Sequence, residues 1–150
     1  MTAFFEDIAV GDEIPAFVRK TTFMEWNRFA AVNEEFVYVH MDDEAGRAAG
    51  QPGAFGMGNL RWAYILNALR DWMGDEGEIR ELTMQFRAIN QKDDILTTSA
   101  RVVEKSDDTD GAALVHLAID VVNQDGKGTS PGRALVAVPS RTRASARSGQ

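Results

Sequence analysis

The sequence predicts an α+β domain in which a curved antiparallel sheet wraps around one long buried helix. Three observations carry that prediction. The stretch from about Gly56 to Met73 is apolar on nearly every side, the pattern of a helix that water does not reach. Beyond Gly74 the hydrophobic period changes from helical to two and stays so through four segments. The chain has 150 residues, 44% of them hydrophobic, enough for one core without disulfide or metal staples, and it shows no internal repeat and no interior linker.

The elements follow in order. Val10 to Lys20 opens on a Val-Gly-Asp turn and becomes extended from Ile14, interrupted by Pro15. Thr22 and Glu25 have the spacing of a capping box and predict a short helix through Trp26, Phe29 and Ala30. A loop holding Glu35 and His40 comes next, then a weakly helical Asp42 to Ala49, with the two aspartates as an N-cap pair. Gly50, Pro52 and Gly53 break the chain before the long helix, which Gly74 stops. That helix carries Trp62, Leu66, Leu69 and Met73 on one stripe, with Met57, Leu60, Tyr64 and Ala68 beside it; apart from Arg61, only Asn59, Asn67, Arg70 and Asp71 are polar.

Strands are then predicted where Leu82, Met84 and Phe86 alternate with Thr83, Gln85 and Arg87, over Ile95 to Glu104, over Ala113 to Val122 and over Arg133 to Val138. Asp125-Gly126 marks a tight turn between the last two. Consecutive strands of this kind are expected to form a meander. The domain is expected to occupy residues 1–139. Residues 140–150, SRTRASARSGQ, lack apolar periodicity and read as a flexible basic tail that can be trimmed after about Thr142 without loss.

Composition excludes several functions. A formal charge of −7 and a pI near 4.8 oppose nucleic-acid binding, which depends on neutralising phosphates. No segment approaches the roughly 20 apolar residues that span a bilayer, and the first residues lack the basic and apolar regions of a secretory signal. The absence of cysteine rules out thiolate chemistry and fits a reducing cytoplasm. No metal-ligand spacing such as His-x3-His is present, and the glycines of GQPGAFGMGNL are not followed by Gly-Lys-Ser/Thr, so neither a metal site nor a phosphate loop is expected.

Against that background Glu35 and His40 stand out. The chain has only two histidines, and a carboxylate and an imidazole are the side chains best suited to moving a proton on and off water near neutral pH. His116 lies within a strand, on the same alternating face as Asp120, and reads as a cross-strand polar position. The expected chemistry is acid–base catalysis on a bound small molecule by Glu35 and His40.

The segments FEDIAVGDEI, FAAVNEEFVYVHMDDEAGRAAG, GAFGMGNL and LTMQFRAINQKDDIL, taken in order, resemble the MaoC-like dehydratase family of hot-dog folds, relatives of the (R)-specific enoyl-CoA hydratases. The resemblance runs from about Phe5 to Val138. The family's segment Gly-Asp-x-Asn-Pro-x-His lies on Glu34 to His40 without a gap. His40 matches the family histidine, Glu35 stands in place of its catalytic aspartate, and Val37 and Tyr38 replace its asparagine and proline. Phe55-Gly56-Met57 falls on the family's His-Gly-Met, and Asp93-Asp94 on its Gly-Asp turn.

The resemblance implies a hot-dog fold and a hydratase or dehydratase acting on an enoyl-CoA or similar acyl thioester, with coenzyme A as part of the substrate and no separate cofactor. It implies Glu35 and His40 as the acid–base pair, the Gly56 amide as an oxyanion donor, and Phe55, Met57 and Tyr64 as substrate contacts; Tyr64 stands where relatives often carry serine. It also implies a homodimer or a multiple of dimers, or a heteromer with a similar hot-dog chain. The alternatives are a non-catalytic partner subunit that binds acyl-CoA, and a hot-dog thioesterase in which Glu35 activates water against the thioester carbonyl.

Overall fold

A computed structural model describes residues 2–107 and 112–142. Three helices, α1 (Phe23–Asn33), α2 (Asp43–Ala48) and α3 (Gly58–Met73), precede four of the five strands: β1 (Phe17–Lys20), β2 (Glu78–Met84), β3 (Ile95–Asp107), β4 (Ala113–Val122) and β5 (Gly132–Val138). The strands form one antiparallel sheet in the order β1-β3-β4-β5-β2. It curls around α3 as a half-barrel, the hot-dog fold. No helix among the described residues is long and apolar enough to cross a membrane.

The core is the concave face of that sheet and one side of α3. Along β4, Val115, Leu117, Ile119 and Val121 point inward and are buried. They meet Leu96, Ala100 and Val102 from β3, Ala134, Val136 and Val138 from β5, and Leu60, Ile65, Ala68 and Leu69 from α3. Two irregularities help the sheet curl: the register shifts between Ile79 and Glu81 in β2, and between Val102 and Glu104 in β3, as bulges do when they bend a strand.

The local signals in the sequence are realised. Thr22 and Glu25 close the capping box of α1, the Thr22 amide donating to the Glu25 carboxylate at 3.2 Å. Asp42 caps α2, accepting from the Ala45 amide at 2.7 Å. Asp43 is not part of that cap: its Oδ1 accepts from the Ala54 amide at 3.0 Å, tying α2 to the approach of α3, and this bond holds its carboxyl below the ordinary carboxylate range. Gly74 ends α3 at φ 73° and ψ −174°, a conformation that favours glycine. Asp93, at the position of the family's turn glycine, also has positive φ, 70°.

Three expectations need correction. The strands do not form a meander: β2 pairs with β5 rather than β3 and lies at the opposite edge from β1. The helix begins at Gly58, not Gly56, because Phe55 is still extended and bridged to Gln91. The tail does not begin at Ser140. The Ser140 hydroxyl donates to Glu6 at 2.5 Å, and the Arg141 guanidinium grips Asp7 through two bonds of 2.7 and 2.6 Å. The Ser140 hydroxyl, with backbone amides and the Thr142 hydroxyl beside it, holds the Glu6 carboxyl down at about 2. Residues 143–150, the rest of the expected tail, lie outside the described residues.

Candidate active site

Glu35 owes its position to the end of α1. Glu34 closes that helix in the left-handed conformation, φ 55°, with its amide on the Ala30 carbonyl. Such a conformation costs a residue with a Cβ roughly 1 kcal/mol or more, and it swings the chain off the helix axis at the residue before the candidate base. Glu35 is half-buried. Its Oε2 accepts a hydrogen bond from the Asn59 carboxamide at 3.0 Å, and Asn59 is the second residue of α3.

His40 closes a 3-10 turn, Tyr38–His40, and is half-buried. Its Nδ1 lies 2.7 Å from the Phe55 carbonyl oxygen, and its ring stands edge-on to the Phe55 ring at 5.1 Å. A carbonyl only accepts, so Nδ1 carries the proton of that bond and Nε2 keeps its lone pair when the ring is neutral. Both candidate residues are thus fastened to one stretch, His40 to Phe55 and Glu35 to Asn59, on the way into α3. No hydrogen bond between Glu35 and His40 appears among the described residues.

The glycine assigned to the oxyanion is engaged elsewhere. The Gly56 amide donates to the Asn90 carbonyl at 2.8 Å, and a Cβ at Gly56 would collide with the Asn90 side chain. Gly56 is therefore glycine for close packing, and its amide is not free for a ligand. The opening amides of α3, at Gly58 and Asn59, have no intrahelical acceptor, as at the start of any helix, and they sit at the positive end of its dipole.

Two of the expected substrate contacts belong to the core. Met57 is fully buried. Tyr64 is 6% exposed and packs against Phe17 at 6.0 Å between ring centroids. Its hydroxyl finds no partner among the described residues, and burial pushes its ionisation up to about 12. Phe55 is the one of the three that reaches the candidate pair, by holding His40.

What Glu35 faces instead is a groove between α1 and α3 of about 580 Å³. Asn33, Glu34, Glu35 and Asn59 supply its polar lining; Phe29, Val37, Trp62, Ala63 and Leu66 supply the apolar part. Asn59 is the functional candidate that sequence reasoning passed over as one member of a polar helix strip. The signal that could have marked it is its place in the first turn of the buried helix, downstream of the glycines. His116 behaves as a cross-strand position: it pairs in register with Glu104, and its Nε2 lies 2.8 Å from the Ser106 hydroxyl.

A one-layer curled sheet around a central helix, with a carboxylate and an imidazole bound at that helix's start, defines this molecule as a hot-dog protein. Comparison with solved structures refines the class. The chain superposes on the unliganded R-hydratase PhaJ1 from Pseudomonas aeruginosa with a TM-score of 0.82 at 23% identity, covering 91% of this chain and 86% of that one. With the MaoC-like dehydratase from Rhodospirillum rubrum the values are 0.79 and 23%, covering 93% and 98%. With the ChsH1-ChsH2 complex from Mycobacterium tuberculosis they are 0.76 and 18%, covering 87% and 98%. The chain therefore has the hot-dog fold seen in MaoC-like dehydratases and (R)-hydratases. No protein-family model and no curated protein sequence matches it.

Proposed function

We propose that this protein is a hydratase or dehydratase of acyl thioesters, with Glu35 and His40 as its acid–base pair. One observation carries the reading: both side chains are tethered to the single segment that opens α3, His40 through the Phe55 carbonyl and Glu35 through Asn59. Adding water to an enoyl thioester needs a water held against the β-carbon, a proton delivered to the α-carbon, and donors for the negative charge that develops on the thioester oxygen. A carboxylate and an imidazole Nε2 on one water supply the first two. The opening amides of α3 are the donors offered here for the third, in place of Gly56, and one such donor contributes roughly 3–4 kcal/mol. The fold likeness to an R-hydratase and to a MaoC-like dehydratase supports the same reaction class.

The test separates three outcomes in one assay. The purified chain is mixed with a panel of enoyl-CoA esters while enoyl absorbance and free thiol are followed independently. Loss of enoyl absorbance without thiol is the expected result. Thiol release assigns a thioesterase in which Glu35 drives water onto the carbonyl. Neither signal assigns a partner subunit without catalysis, the reading favoured by the lack of a direct Glu35–His40 bond and by the commitment of the Gly56 amide to Asn90.

Assembly belongs to the same proposal. The sheet ends in two open edges, β1 and β2, and such edges are commonly covered by pairing. We expect a dimer or a multiple of dimers, of this chain or with a similar one; a solved neighbour is itself a complex of two named chains. Sedimentation showing a stable monomer at micromolar concentration, with any natural partner present, would overturn it.

A further inference from the structure

The two sides of α3 offer an acyl group very different prospects. On the sheet side, Tyr64, Ile65, Ala68 and Leu69 are buried, and the Tyr64 ring fills the space against Phe17. A chain cannot thread there without displacing the core. On the α1 side the groove is open, and its lining divides by chemistry. Its hydrogen-bonding residues, Asn33, Glu34, Glu35 and Asn59, come from the last turn of α1, the loop after it and the first turn of α3; its apolar residues on α3 follow further along the helix. From Asn59 to Leu66 the helix rises roughly 10 Å, and Trp62, Ala63 and Leu66 fall at the spacing that lines one face. A groove with a polar head at the candidate base and an apolar trough beyond it matches a thioester lying head-first.

We propose that this α1–α3 groove is the acyl channel, and that Trp62 selects acyl groups carrying a flat ring over straight chains. The proposal rests on the reading of Glu35 as the residue that meets the thioester. Its ring selectivity comes from the trough itself. At about 580 Å³ the groove lies well inside the range of small-molecule sites. Phe29 from α1 and Trp62 from α3 both line it, and offset or edge contact of an acyl ring with an indole adds affinity beyond the area buried. Trp62 is half-buried, so one surface of the indole is held by the protein and another is presented to the groove.

Calorimetric titration of the full chain with saturated thioesters tests this without requiring catalysis. The probes are phenylacetyl-CoA and octanoyl-CoA, whose acyl groups have the same number of carbons. Phenylacetyl-CoA is expected to bind about five- to tenfold more tightly, the worth of one ring contact. Trp62→Leu should abolish that preference, and Trp62→Phe should retain part of it; melting curves for both variants report that they fold. Equal affinity for the two probes, a preference for octanoyl-CoA, a preference that survives in Trp62→Leu, or no binding of either probe would overturn the proposal. So would a change in sedimentation on Trp62→Leu with ligand binding unaltered, because a second copy would then occupy the groove. Ring-selective binding together with no hydration of any enoyl-CoA would instead refute the catalytic reading and leave the channel standing; hydration indifferent to Trp62 would do the reverse.

Discussion

Two faces of the same helix have opposite fates. On the sheet side of α3, Leu60, Tyr64, Ile65, Ala68 and Leu69 are buried, held by strands from both ends of the chain. On the α1 side, Asn59, Trp62, Ala63 and Leu66 line an open groove. The difference is what each faces: one meets the curled sheet, the other meets a short helix ending in a strained turn at Glu34. Stability should therefore reside on the first face and chemistry on the second.

The largest effect expected is on the buried face. Leu69→Ala removes a side chain that is 1% exposed and should cost about 3 kcal/mol, whereas Trp62→Ala on the groove face should cost less, about 1–2 kcal/mol, because that residue is already partly exposed. Denaturant unfolding of the two variants compares the faces directly; equal losses would erase the distinction.

The second test reverses the direction. Glu35→Gln and His40→Ala should each lower turnover at least about a hundredfold with little change in unfolding free energy, and the double variant should be little worse than either single one. Asn59→Ala, which releases Glu35 without removing it, should cost about tenfold in turnover and little in substrate affinity. Steady-state kinetics settles these, and full activity in Glu35→Gln would reduce Glu35 to a loop carboxylate.

Tyr64 offers a smaller and sharper test of the sealed face. Its hydroxyl is buried without a partner, so Tyr64→Phe should leave turnover unchanged and raise stability by about 1 kcal/mol, the desolvation penalty removed. A fall in activity on that substitution would place the phenol in the site. Smallest of all is the link from α2 to the start of α3. Asp43→Asn should cause a slight loss of melting temperature at neutral pH. Because the folded carboxyl lies below its ordinary value of 3.8, the stabilisation is complete above that value and is lost as pH falls through the lower, folded one. The difference between the variant and the parent should therefore vanish in strong acid.

Much of this molecule was legible in its residues because the signals were local. The capping box at Thr22 and Glu25, the aspartate cap of α2, the stop at Gly74 and the alternation through β4 each depend on neighbours a few positions away, and each appears in the structure. The candidacy of Glu35 and His40 rests on local signals too, residue type and spacing, and it is the kinetics of their variants that tests it.

Tertiary structure alone decided the rest. Nothing near β2 says that it pairs with β5 across a long gap in sequence, because strand pairing is a contest among distant partners. The same holds for Gly56, whose amide is taken by the Asn90 carbonyl, and for Met57 and Tyr64, which the closing sheet turns into core. Periodicity marks a helix as apolar on all sides; which side the sheet seals, and which it leaves open beside Glu35, depends on where the curled sheet and α1 come to rest.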